Sequence, residues 1–123
     1  MNNEKIKIAF VHKGNSWYLP YVLNQAVALN KDNVVFIGDG QLKYSRDNEI
    51  ENININNLKD EMSLKFVENY IHRSSNPHNY ELFCWLRWFY LLEYMKKNNI
   101  KKIFYSDSDG LIYESVNEIY NIY

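Results

Sequence analysis

A chain of 123 residues has room for one domain, taken as 1–123, with a modest core. Fourteen basic residues against 15 acidic give a formal net charge of −1, which argues against nucleic acid as the main partner because phosphate binding needs a basic excess on one face. At 46% hydrophobic and 24% charged the chain is not a disordered one, and it holds no apolar run of the roughly 18 residues that a transmembrane helix requires.

Aromatics reach 16%, with 11 Tyr, 6 Phe and 3 Trp. Such side chains build cores and also stacking walls for ligands. The single cysteine, Cys84, has no internal partner for a disulfide, and the start of the chain lacks the apolar core of a signal peptide. The cytoplasm is therefore the expected location. The heavy use of Asn, Ile, Lys and Tyr reads as coding bias.

In chain order, Ile6 to Val11 is a short apolar run typical of a buried strand. His12 to Ser16 breaks it, with Gly14 and Asn15 as turn residues and Ser16 as a candidate N-cap. Trp17 to Leu29 follows as a helix with Tyr18, Val22, Ala26 and Leu29 on one stripe, and Pro20 falls in its first turn. Val34 to Ile37 is a second strand, closed by Gly38-Asp39-Gly40. Strand, helix and strand with short links predict a βαβ unit with parallel strands. Gln41 to Asn57 is polar and weakly patterned, and Ile50, Ile53 and Ile55 suggest a marginal third strand.

Leu58 to Ile71 fits a helix with Leu58, Met62, Phe66 and Tyr70 on one stripe, and His72 to Asn79 is a loop. Tyr80 to Lys97 is the strongest helix. Its apolar residues run nearly all round, which predicts burial against a sheet, and Asn98-Asn99 can cap it. Lys102 to Ser106 is a further strand, ending in Asp107-Ser108-Asp109-Gly110 and followed by Leu111-Ile112-Tyr113. The alternation predicts an α/β fold, an open and mostly parallel sheet with helices on both faces. Ligands of such sheets sit outside the carboxyl ends of the strands. Four loops should converge there: His12 to Ser16, Gly38 to Gly40, the one after Ile55, and Asp107 to Gly110.

Asp107 and Asp109 carry the sharpest chemical signal. Two carboxylates one residue apart point the same way if the backbone stays extended. Like charges so close repel unless a cation or a guanidinium neutralises them. A hard divalent ion bridging diphosphate oxygens would do this, while the competing reading is a solvated turn. An EF-hand is excluded, because Tyr105 and Val116 would occupy its first and twelfth positions.

Arg87 is the second signal, since none of its helical neighbours, Phe83, Cys84, Tyr90 and Leu91, pairs with a charge. From Asn98 back to Arg87 the helix rises about 16 Å, and from Lys102 to Asp107 a strand covers roughly the same distance. Antiparallel packing of the two through their short link sets Arg87 level with Asp107. It would then neutralise the aspartates, contact a diphosphate, or simply anchor the loop. His12 and Lys13 end the first strand, where a base or phosphate would lie, although such residues are usually solvated. Asp39 is placed to accept a ribose hydroxyl. The chain has no Gly-x-Gly-x-x-Gly after the first strand and no Walker A motif, which counts against a Rossmann dinucleotide site and excludes a P-loop. His72 and His78 read as surface residues, and Cys84, Trp85 and Trp88 as core.

The strand end FYSDSDGLIY, preceded by the helix ELFCWLRWFYLLEYMKKNNIKK, resembles the nucleotide-sugar-binding half of GT-A-type glycosyltransferases. The opening IAFVHKGNSWYLPYVLNQA and the second-strand VVFIGDG resemble the first βαβ unit of bacterial members. The resemblance implies that Asp107 and Asp109 match the family's Asp-x-Asp, which holds Mn²⁺ or Mg²⁺ against the donor's diphosphate. Arg87 matches the helix arginine beside that motif, and Val11, His12, Asp39 and Ser108 fall where the family receives the rest of the nucleotide. Ser106 and Gly110 depart from the family's usual Leu and aliphatic residue.

The resemblance covers only the N-terminal half of such an enzyme. It implies a truncated or split transferase that binds a nucleotide-diphosphate sugar, with an acceptor (glycan, lipid or protein) left open, and an exposed sheet edge inviting self-association or a second polypeptide. The alternatives are a non-catalytic binding module that keeps the fold, and a flavodoxin-like or receiver-like domain. The last is disfavoured because His12-Lys13 stand where a receiver has its acidic pair.

Overall fold

The computed structural model describes residues 5–40, 42, 44 and 47–122. Much of the polar stretch after Gly40 (Gln41, Lys43, Ser45 and Arg46) lies outside the described residues. Strands β1 (Lys7–Val11), β2 (Val34–Gly38), β3 (Glu51–Asn54) and β4 (Ile103–Tyr105) form one open sheet in the order β3-β2-β1-β4, and each neighbouring pair is parallel. The helices are α1 (Leu19–Leu29), α2 (Glu61–Asn69), α3 (His78–Lys97) and α4 (Val116–Ile122).

The alternation of side chains along the strands divides the core in two. Ile8 and Phe10 of β1, with Val34 and Phe36 of β2, pack against Leu19, Leu23 and Val27 of α1 and Val116 of α4. Ala9 and Val11, with Val35 and Ile37, pack on the other face against Leu58 and the α3 residues Leu86, Tyr90, Leu91 and Tyr94. Because both faces of β1 and β2 are covered, their sequences read as unbroken apolar runs. The expected α/β sheet with helices on both faces is what forms.

Several boundaries differ from the expectations. Helix α1 begins at Leu19, because Trp17 and Tyr18 form a turn and Ser16 does not cap it. The Ser16 hydroxyl bonds the His12 ring instead. Helix α2 begins only at Glu61, where Asp60 and Ser63 form a capping box at 2.9 and 3.0 Å. Leu58 precedes it after a 3₁₀ turn over Ile55–Asn57, so the stripe through Leu58, Met62 and Phe66 is broken and Met62 lies exposed. Strand β3 ends at Asn54, whose side chain caps that turn and draws Ile55 into it. Helix α3 starts two residues early, with Pro77 as its N-cap. It is not buried all round: Trp85, Trp88 and Leu92 are each about half exposed, so the two tryptophans are not core.

Helix α4 was not expected. Asparagine side chains fasten it to the rest of the fold. Asn117 accepts from Ile6 N at 2.7 Å and donates to Ile6 O at 3.2 Å. The buried Asn30 accepts from Val116 N at 2.9 Å and donates to Glu114 O at 3.1 Å. Beneath α3, Glu51 of β3 accepts from the Tyr94 hydroxyl at 2.6 Å and pairs with Lys7 at 3.0 Å. No described helix is long and apolar enough to cross a membrane.

Candidate functional site

The chain steps from β1 to β2 to β3 in one direction, and α3 then returns it to the far side of β1. The sheet order thus reverses between β1 and β4, and the carboxyl ends of those strands diverge into a crevice, the usual ligand position in open α/β sheets. A cleft of about 610 Å³ opens there. One wall is Val11, His12 and Lys13 at the end of β1, with Tyr18 beside them. A second wall is the first half of α3, presenting Asn79, Tyr80, Phe83, Cys84 and Arg87. The floor is Asp107, Ser108 and Asp109 after β4.

Arg87 and Asp107 stand level, as the rise of the helix and the strand requires. Arg87 Nη1 lies 3.0 Å from Asp107 Oδ1. The guanidinium donates Nε to Cys84 O at 3.0 Å and its centre stands 5.3 Å from the Trp88 ring and 5.5 Å from the Tyr105 ring. Tyr105 also donates to Asp107 Oδ1, at 3.4 Å. Burial pushes the Tyr105 hydroxyl up to about 12, with Arg87 opposing the rise and Asp107 adding to it. The backbone does not stay extended past Asp107, however. Gly110 N donates to Asp107 O at 3.0 Å, closing a turn over Ser108 and Asp109. Both carboxylates are exposed and both line the cleft.

His12 is fixed from both sides. Its Nδ1 is 2.7 Å from Ser108 Oγ, and its Nε2 is 3.0 Å from Ser16 Oγ. The ring therefore ties the loop after β1 to the loop after β4. Burial lowers its pKa, and the negative charge of Asp39 works against that. A neutral ring donates to one hydroxyl and accepts from the other.

Asp39 holds the loop after β1. Its Oδ2 accepts from Gly14 N at 3.1 Å, and it does not line the cleft. Gly14 has φ +92° and Cβ would strain there, so the glycine lets its N–H turn to Asp39. Of the four loops expected to converge, the first and last form the cleft. The Gly38–Gly40 segment and β3 line a separate cavity of about 210 Å³, because β2 and β3 lie on the other side of β1 from β4.

Tyr18, Asn79, Tyr80 and Phe83 were missed as cleft residues, and Cys84 lines the cleft where core was expected. The signal was present: Tyr80, Phe83, Cys84 and Arg87 recur at the three- and four-residue spacing of one helical face. His72 is half-buried in a small cluster, 3.1 Å from the Tyr70 hydroxyl and 2.6 Å from Asn76 O, away from the cleft. Among the described residues no three His, Cys, Asp or Glu side chains gather as metal ligands. No family model, curated protein or solved structure matches the chain at a significant level.

Proposed function

We propose that the chain is the donor-binding domain of a metal-dependent glycosyltransferase of GT-A type, taking a nucleotide-diphosphate sugar in the cleft between β1 and β4. The observation that carries the reading is the meeting of Arg87 and Asp107 beside Asp109 at the point where the sheet order reverses. A diphosphate needs cationic and hydrogen-bonding groups, and Arg87 and Lys13 line the same cleft. Tyr80, Phe83 and Tyr18 add flat apolar surface suited to a base or a sugar ring.

The donor set suits a hard cation such as Mn²⁺ or Mg²⁺. Asp107 Oδ1 is engaged by Arg87 and Tyr105, while Asp107 Oδ2 and both oxygens of Asp109 accept no bond from the described side chains. Two carboxylates with substrate phosphates and water are a common environment for Mg²⁺. Such an ion, when bound, stabilises the negative charge of the leaving diphosphate. Arg87 positions Asp107 and offers its remaining N–H groups to phosphate oxygens. His12 holds Ser108, and with it the turn that carries both acids. A single unpaired cysteine suits work in the cytoplasm.

The second reading, a binding module without catalysis, is favoured by the closed turn and by a ligand set of only two carboxylates. Isothermal titration with UDP and GDP, with and without Mn²⁺, separates the two. Binding that requires the metal and disappears in Asp109→Ala supports the donor site. Absence of binding to either nucleotide under both conditions leaves the module.

A further inference from the structure

Strand β4 ends its side of the sheet, and alternation fixes which main-chain groups it leaves open. Ser106 N donates to Ala9 O at 3.1 Å, and Ile8 N donates to Asn33 O at 2.7 Å on the opposite side of β1. Phe104, two residues before Ser106, therefore turns its N–H and C=O toward β1, and Ile103 and Tyr105 turn theirs outward. Among the described residues β1 is the one strand that pairs with β4, and the outer edge of β4 carries no proline.

The flanks of this edge carry opposite charges, with Lys101 and Lys102 before the strand and Asp107 and Asp109 after it. Apolar surface borders it above and below. Trp88, 46% exposed, lies over the Tyr105 ring at 4.7 Å. On the opposite face a groove of about 500 Å³ runs between Phe104, itself 41% exposed, and Val116, Ile119 and Tyr120 of α4.

We infer that two copies of this chain pair edge to edge through β4, antiparallel about a twofold axis at Phe104, to make one continuous sheet. The register is self-complementary. Ile103 faces the second copy's Tyr105, and the outward N–H and C=O groups of both satisfy each other in reciprocal bonds. Lys101 faces Asp107 of the second copy, so the flanking charges match in this antiparallel register and clash in a parallel one. A twofold axis normal to the sheet keeps both α3 helices on one face, where the two Trp88 side chains approach each other, and covers the α4 grooves on the other. Asp107 belongs to the cleft, so Lys101 of the second copy joins its rim. The pairing itself holds whether or not the cleft takes a nucleotide sugar.

Sedimentation velocity over a micromolar to submillimolar range, with hydrogen exchange at the two ends of that range, tests this. The expected result is a dimer whose Ile103 and Tyr105 amides exchange more slowly as concentration rises. Phe104→Lys abolishes the dimer. Lys101→Glu, at an exposed position that the fold does not need, weakens it on the order of tenfold, because two charge pairs become repulsive. A monomer throughout the range overturns the inference. So does a dimer that survives both substitutions, or exchange at Ile103 and Tyr105 that ignores concentration, as when another protein's strand is the natural occupant.

Discussion

Arg87 Nη1 rests 3.0 Å from Asp107 Oδ1 across a separation of 20 residues. That contact joins the middle of α3 to the tip of β4. The Arg87 side chain is 27% exposed and that of Asp107 64%, so the ion pair alone is worth at most about 1 kcal/mol. Stacking on Trp88 and Tyr105 adds packing that a lysine cannot reproduce. Arg87→Lys should therefore lower stability by about 1 kcal/mol in urea unfolding, and Arg87→Ala somewhat more. If the cleft takes a nucleoside diphosphate, both should weaken that binding more than they weaken the fold.

The two aspartates should separate in their effects. Asp109 is exposed and pairs with none of the described side chains, so Asp109→Asn should leave the urea midpoint within about 0.5 kcal/mol of the parent. Asp107→Asn should also remove the full charge facing Arg87. If the cleft takes a metal-bound diphosphate, both substitutions abolish Mn²⁺-dependent binding by titration. Equal destabilisation by the two would show that the turn, and not the ion pair, carries the contact.

Acid should act through His12. Burial holds its folded pKa below the ordinary 6.5, so the unfolded chain takes up a proton first as pH falls. Stability from this group is complete above 6.5, is lost through the window between 6.5 and the lower folded value, and is level below that. His12→Gln should remove that slope from urea midpoints measured across the window. An unchanged slope would assign it to another group.

Alkali should act through Tyr105, whose hydroxyl is held up at about 12 by burial. Its contribution is fully present below 10, the ordinary value, and is lost as pH rises from 10 toward 12, since the unfolded chain ionises first. Tyr94, fully buried and donating to Glu51, is shifted in the same direction by the same cause. Tyr105→Phe should flatten part of the alkaline fall in stability. Tyr94→Phe should flatten more of it, and should cost about 1–2 kcal/mol at neutral pH by removing the hydroxyl between Glu51 and Lys7.

Helix α2 offers a local test. Its start is set by the Asp60–Ser63 capping box, and Asp60→Ala should cost about 1 kcal/mol in the same urea assay. A negligible loss would mean that Leu58 and Phe66, packed under α3, hold the helix regardless of its cap.

The strands were legible because parallel strands covered on both faces leave unbroken apolar runs, as in Ile8 to Val11 and Val34 to Ile37. The level of Arg87 and Asp107 was legible too, since rise per residue is a fixed quantity in helix and strand. Two things escaped, and a third was only an alternative. The turn at Asp107 stood as the competing reading of that motif, because it depends on a single backbone bond from Gly110, which no periodicity records. Helix α4 has only seven residues, too few for a stripe, and is fixed by Asn30 and Asn117 from distant positions. The position of Asp39 outside the cleft lining followed from the order of the strands, because β2 lies on the side of β1 away from β4, and a strand's place in a sheet is not written in its own residues.

The clamp of Asn117 on Ile6 spans 111 positions, and it joins the segment entering β1 to α4. On the ribosome, β1 emerges before both of its neighbours, and β4 and α4 follow only after α2 and α3 have been made. The nascent chain must therefore keep the apolar stretch Ile8 to Val11 waiting until β4 and α4 emerge, and that interval is when a chaperone matters most to this protein.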